Sequence, residues 1–139
     1  MKTRIPLLIA CALCTLGIAA AQTSPSTSVD KTVGQTATIS WTAPTTYTTG
    51  ASIASGTTIT YAVDALKLTT GTACSSTSIG SPQASSLTTT SYVTPTYTGT
   101  GIYCYAVTAQ VAGVTSAPSD VVQATVTAPI PNPPSATIQ

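Results

Sequence analysis

Apolar and polar residues alternate with a period of two in three stretches of this chain, and that period places each on a strand with one buried face. In Thr36 to Trp41 the shared face holds Ala37, Ile39 and Trp41, and Ala43-Pro44 ends the run. In Thr58 to Ala65 it holds Ile59, Tyr61, Val63 and Ala65, with Leu66 to Leu68 read as a continuation into a short edge strand. In Ile102 to Ala109 it holds Tyr103, Tyr105, Val107 and Ala109, which turns Cys104 to the opposite face. Thr88 to Thr94, centred on Tyr92 and rich in β-branched residues, reads as a further strand before a corner at Pro95 to Gly101. After a turn at Ala112-Gly113, Val114 to Ser116 and Val121 to Val126 supply the last strands.

The intervening segments lack a sustained period. Thr45 to Gly56 reads as a long surface connection, and Gly71 to Ser86 reads as irregular because of Pro82 and its glycines. A first strand between Ser26 and Gly34 is poorly marked. No stretch beyond the first 21 residues has helical apolar spacing, so the fold class is all-β: a sandwich of about seven strands in two antiparallel sheets. The expected core is Ile39, Trp41, Tyr61, Val63, Tyr103, Tyr105 and Val107.

Residues 1 to 21 have the three-part layout of a secretory signal: Lys2 and Arg4, an apolar run from Ile5 to Ile18, then Ala19, Ala20 and Ala21, with cleavage expected after Ala21. The run is shorter than the roughly 20 residues that span a bilayer, so no stable membrane insertion is expected after cleavage. Leu8-Ile9-Ala10-Cys11 also resembles the box before a lipidated cysteine, although cutting there leaves a very short apolar region ahead of it. The remaining organisation is a flexible leader over 22–28, one domain over 29–127 and a proline-rich tail over 128–139. Export removes Cys11 and Cys14 and leaves Cys74 and Cys104, which allow a single disulfide in an oxidising compartment. The alternatives, a metal site or a reactive thiol, have neither a histidine nor a CxxC spacing to support them.

Charge narrows the function. Only 5% of residues are charged, and beyond residue 21 two lysines face three aspartates, for a net charge of −1. Two isolated lysines cannot form the basic patch that nucleic-acid binding needs, so no nucleic-acid partner is expected. The chain has no His and no Glu, and Asp30, Asp64 and Asp120 are scattered, so general acid–base catalysis, a clustered calcium site and a cofactor are not expected. Hydroxyls keep this chain wet in place of charges.

The segments TATISWTAP, TITYAVDA and YCYAVTAQVAGVTSAPSDVVQATV resemble, in order, the second, third and sixth-to-last strands of fibronectin type III domains. The Tyr97-to-Tyr103 stretch is similar to that family's tyrosine corner, with Tyr103 in the tyrosine's place, Tyr97 where an aliphatic residue is usual and Gly99 where proline is usual. The resemblance covers Ser26 to Thr127 and implies an immunoglobulin-like β-sandwich that mediates protein contacts or spaces other domains. It implies no enzyme activity, and the Cys74–Cys104 link is an addition seen in some exported bacterial relatives. The functional expectation is an exported, non-catalytic binding module, secreted, periplasmic or on the cell surface, with an unknown protein or glycan partner. Two alternatives are a carbohydrate-binding module, with Tyr47 as the possible exposed contact, and a structural subunit that self-associates by strand addition.

Overall fold

The computed structural model describes residues 28–69, 73–75 and 80–131. The expected signal at 1–21, the leader up to Thr27 and the tail beyond Pro131 lie outside them. Among the described residues eight strands follow one another: β1 Ser28–Thr32, β2 Thr38–Ser40, β3 Ile59–Leu68, β4 Ser81–Leu87, β5 Ser91–Val93, β6 Gly101–Val111, β7 Val114–Thr115 and β8 Val122–Thr127. Six form one sheet in the order β1-β8-β6-β3-β4, with β7 on the far end of β6, and β2 and β5 form a second, two-stranded sheet.

The larger sheet is built on β3 and β6, which pair antiparallel without interruption from Ile59↔Val111 to Leu68↔Ile102. Their inward residues carry the expected alternation. Tyr61, Val63, Tyr105, Val107 and Ala109 are buried on one face, against Ala37, Ile39 and Trp41 beneath the small sheet. Val63 is fully buried, and Trp41 meets Tyr61 edge to face with ring centroids 5.3 Å apart. Aromatic pairs in this arrangement gain about 0.5–1.5 kcal/mol beyond the area they bury.

The structure corrects several expectations. The sheets are not wholly antiparallel, because β1 runs parallel to β8 from Ser28↔Gln123 to Thr32↔Thr127. Ser28, expected in the leader, is the first residue of that strand. Leu66 to Leu68 do not form a separate edge strand but continue β3, and the expected strand over Thr88 to Thr94 shrinks to Ser91–Val93. The edge belongs to β4, within the segment read as irregular. Pro82 is tolerated there because an edge strand need not donate on its outer side, and the β3–β4 register shifts twice. Tyr103 is half-buried rather than a core residue, packed at the rim of the inner cluster. Tyr97, not expected in the core, is 2% exposed.

The expected turn at Ala112-Gly113 is a two-residue hairpin loop joining β6 to β7. Both residues have positive φ, +49° and +82°, the twist that lets a tight hairpin follow the twist of its strands.

Candidate functional site

β6 is buried on both faces, and the two faces are finished differently. The inner face is the interior between the sheets. On the outer face Cys104, Ala106 and Val121 are buried, with Leu66, Leu68, Ile102 and Cys74 packed around them. The cover comes from the β3–β4 connection, whose Cys74 is disulfide-bonded to Cys104 and whose Cys74 N–H donates to Gln123 Oε1 at 3.0 Å. Where that connection rejoins the sheet, Gly80 lies so close to the backbone of Ala65 that a β-carbon there would overlap its carbonyl. Only glycine permits this approach.

At one end of the sandwich Tyr103 donates its hydroxyl to the Gly99 carbonyl, at 2.9 Å, four residues upstream. Its ring lies 4.7 Å from that of Tyr97 and under the Lys67 ammonium, 5.2 Å from the centroid. Below it the Tyr105 hydroxyl donates to the Tyr97 hydroxyl at 3.3 Å. Burial first, and then the neighbouring tyrosine hydroxyls, push the Tyr105 phenol well above its ordinary range, and burial alone raises Tyr61. The Tyr103 and Tyr105 hydroxyls thus serve as hydrogen-bond donors at this end of the fold. Asp64, half-buried on β3, is also raised by burial. Among the described residues no group of three His, Cys, Asp or Glu side chains is placed to hold a metal ion.

Tyr47 is half-buried in a small hairpin-like loop. Its N–H donates to the Ala51 carbonyl, its own carbonyl accepts from Gly50 N–H, and Thr46 bridges to Ser52. The segment expected as a long surface connection is thus a loop tied together by its own backbone. The ring pairs among the described residues, Trp41–Tyr61 and Tyr97–Tyr103, do not include Tyr47.

A concave feature lies elsewhere, beside β2. A groove of about 190 Å³ runs between β2 and the β1–β8 side of the larger sheet, with Val29, Ala37, Ile39, Tyr105, Val122 and Ala124 as its apolar lining. None of the described residues lining it is charged. A recess of about 20 Å³ shares Ile39, Ser40, Tyr105 and Val122 with it and adds Trp41, Val107, Ser119 and Asp120. The buried Trp41 indole Nε1 has no acceptor.

The groove exists because the small sheet has two strands while the sheet beneath it is five strands wide. Among the described residues it is also edged by backbone without a strand partner. Ala37 N–H donates to Thr94 Oγ1, the Ala37 carbonyl accepts from Thr94 N–H, and Trp41 N–H donates to the Thr90 carbonyl, so residues 37 and 41 turn their backbone groups toward β5. Ile39 lies opposite Tyr92 in the same phase. Backbone groups alternate sides along a strand, so those of Thr38 and Ser40 point the other way, to the open edge beside the groove. Reading the sequence alone missed this site. Its only clues were Val29, the one apolar residue in a weakly marked strand, and the Val122–Ala124 alternation.

No family model matches the chain, and no curated protein matches it. Among solved structures it is similar to the crystal structure of a Fn3-like protein from Clostridium thermocellum, at 23% sequence identity and a TM-score of 0.44, over 72% of this chain and 90% of that one.

Proposed function

We propose that this chain is an exported, non-catalytic interaction module whose contact surface is the open edge of β2 and the apolar groove beside it. The observation that carries the reading is the pairing of two features in one place. The Thr38 and Ser40 backbone groups face outward at an edge, and an uncharged floor lies next to them. Proteins that take up extended segments use this combination, with main-chain hydrogen bonds from the edge for affinity and apolar hollows for every second side chain of the guest.

The residue inventory supports a non-catalytic role, since a chain without His or Glu has few groups to move protons. The Cys74–Cys104 disulfide is compatible with export to an oxidising compartment. No helix of the described residues is long and apolar enough to cross a membrane.

Selection from a displayed library of random extended peptides tests the reading. Binders are expected to be uncharged and β-branched, and to shift the amide resonances of Thr38 and Ser40. Binders that map consistently to another face, or no binders at all, would remove it.

A further inference from the structure

A five-residue pattern occurs three times in this chain: Thr36-Ala37-Thr38-Ile39-Ser40, Gln123-Ala124-Thr125-Val126-Thr127 and Ser135-Ala136-Thr137-Ile138-Gln139. The first contains β2 and the second lies in β8. In both, the alanine and the Ile or Val that follows it by two are buried between the sheets, while the residues flanking them are more exposed. The third copy lies in the tail, beyond the described residues, with Ala136 and Ile138 at the positions of that pair in the sequence.

We infer that Ser135–Gln139 of one copy of this protein adds as a strand to the open edge of β2 in a second copy, with Ala136 and Ile138 seated in the groove. The inference rests on the proposed reading of that edge and names its occupant. The guest suits the host chemically: it is uncharged, as is the described lining, and it has a β-branched residue to fill an apolar floor.

The chain's own course favours a second copy over the same one. The tail leaves the domain at Thr127, beside Thr32, whereas the groove lies over Val122 to Ala124, near the other end of β8. Ala128 to Pro131 are all exposed, Ile130 at 92%, so the departing chain makes little contact with the body as it leaves. Four of the seven spacer residues from Ala128 to Pro134 are proline, which stiffens the spacer toward extended polyproline geometry of about 3.1 Å per residue. The N-terminal segment Gln22 to Thr27 is a poorer guest, for it has no apolar residue other than Pro25, which lacks an N–H.

Two other edges discourage the same addition. β4 carries Pro82, two register shifts and Ser86 at φ +57°, and β1 carries Asp30 and Lys31. Because tail and groove are different surfaces of one molecule, the contact is head-to-tail. It closes into a ring or continues into a chain of copies.

The test uses the purified full chain and two complementary variants. Ile138→Asp spoils the guest and leaves the groove intact. Ser40→Pro removes an N–H at the open edge while sparing the β5 ladder, and Val29→Lys, at the groove mouth, replaces it should Ser40→Pro fail to fold. Sedimentation across a wide concentration range is expected to show growing oligomers for the unaltered chain and monomers for each variant alone. An equimolar mixture of guest-defective and groove-defective variants is expected to regain a dimer and stop there. Association that survives Ile138→Asp, or a mixture that stays monomeric, overturns the inference. So does an unaltered chain that stays monomeric at every concentration. If selected peptides still map to Thr38 and Ser40 in that last case, the interaction-module reading stands and only the tail is dismissed as its guest.

Discussion

The two faces of β6 solve one problem by different means. On the inner face, rings and β-branched side chains from two sheets close on Val63, with Trp41 and Tyr61 in edge-to-face contact. On the outer face the buried residues are small, Cys104, Ala106 and Val121, and the cover is fastened covalently through Cys74. A chain with no Phe and one Trp has few large side chains to spend, and those it has are concentrated inside. The outer cluster substitutes a cross-link for bulk. Side-chain packing stabilises the native state directly, whereas a cross-link acts mainly by restricting the unfolded chain.

The harshest way to break this comparison is Trp41→Ala, which empties the inner face. The expected loss is about 3–5 kcal/mol in denaturant unfolding, with both sheets melting together. Removing the outer fastening by Cys74→Ser with Cys104→Ser comes next. A loop of 30 residues gives about 3–4 kcal/mol in the chain-entropy account. Because the link acts through the unfolded chain, exchange by global unfolding is expected to speed up at Val63 and Ala109 as well, with a further local rise at Leu66, Leu68 and Ile102 beside the lost fastening. A change of the same size at all five would show that the two faces are one cooperative unit.

Smaller changes sharpen the contrast. Tyr103→Phe deletes the bond to the Gly99 carbonyl at the rim of the inner face and is expected to cost about 1 kcal/mol without altering the fold. Asp64→Asn should have the mildest effect. Burial raises the folded-state pKa of Asp64 above its unfolded value, so its protonated form is favoured by folding. That contribution is present below the unfolded pKa and disappears as pH rises through the folded one. The unaltered chain should therefore gain a little stability on acidification through the carboxylate range relative to Asp64→Asn, as a difference between the two melting profiles.

Legibility in the sequence followed the same division. Ile39, Trp41, Tyr61, Val63 and Val107 were readable because each lies in a run with one face wet and one dry, which leaves a period of two. β6 was readable for its inner face alone, since what buries Ala106 and Val121 is a cover drawn from another part of the chain. β1 was faint because four of the five residues in Ser-Val-Asp-Lys-Thr are charged or hydroxylic, and its partner β8 lies nearly a hundred residues away. β4 was hidden by Pro82, whose disruptive effect in a central strand does not apply at an edge. The disulfide followed from cysteine count and expected export, whereas the groove depends on how far one sheet overhangs the other. No local pattern encodes that overhang.

Trp41 is the chain's single tryptophan, and it is held in the dry interior against Tyr61 while also lining the recess that continues from the groove. The molecule thus contains its own fluorophore at the junction of its core and its open edge. Excited selectively, the indole would report unfolding as a red shift of its emission and the arrival of a guest strand beside Ser40 as a change in quenching, with no label attached.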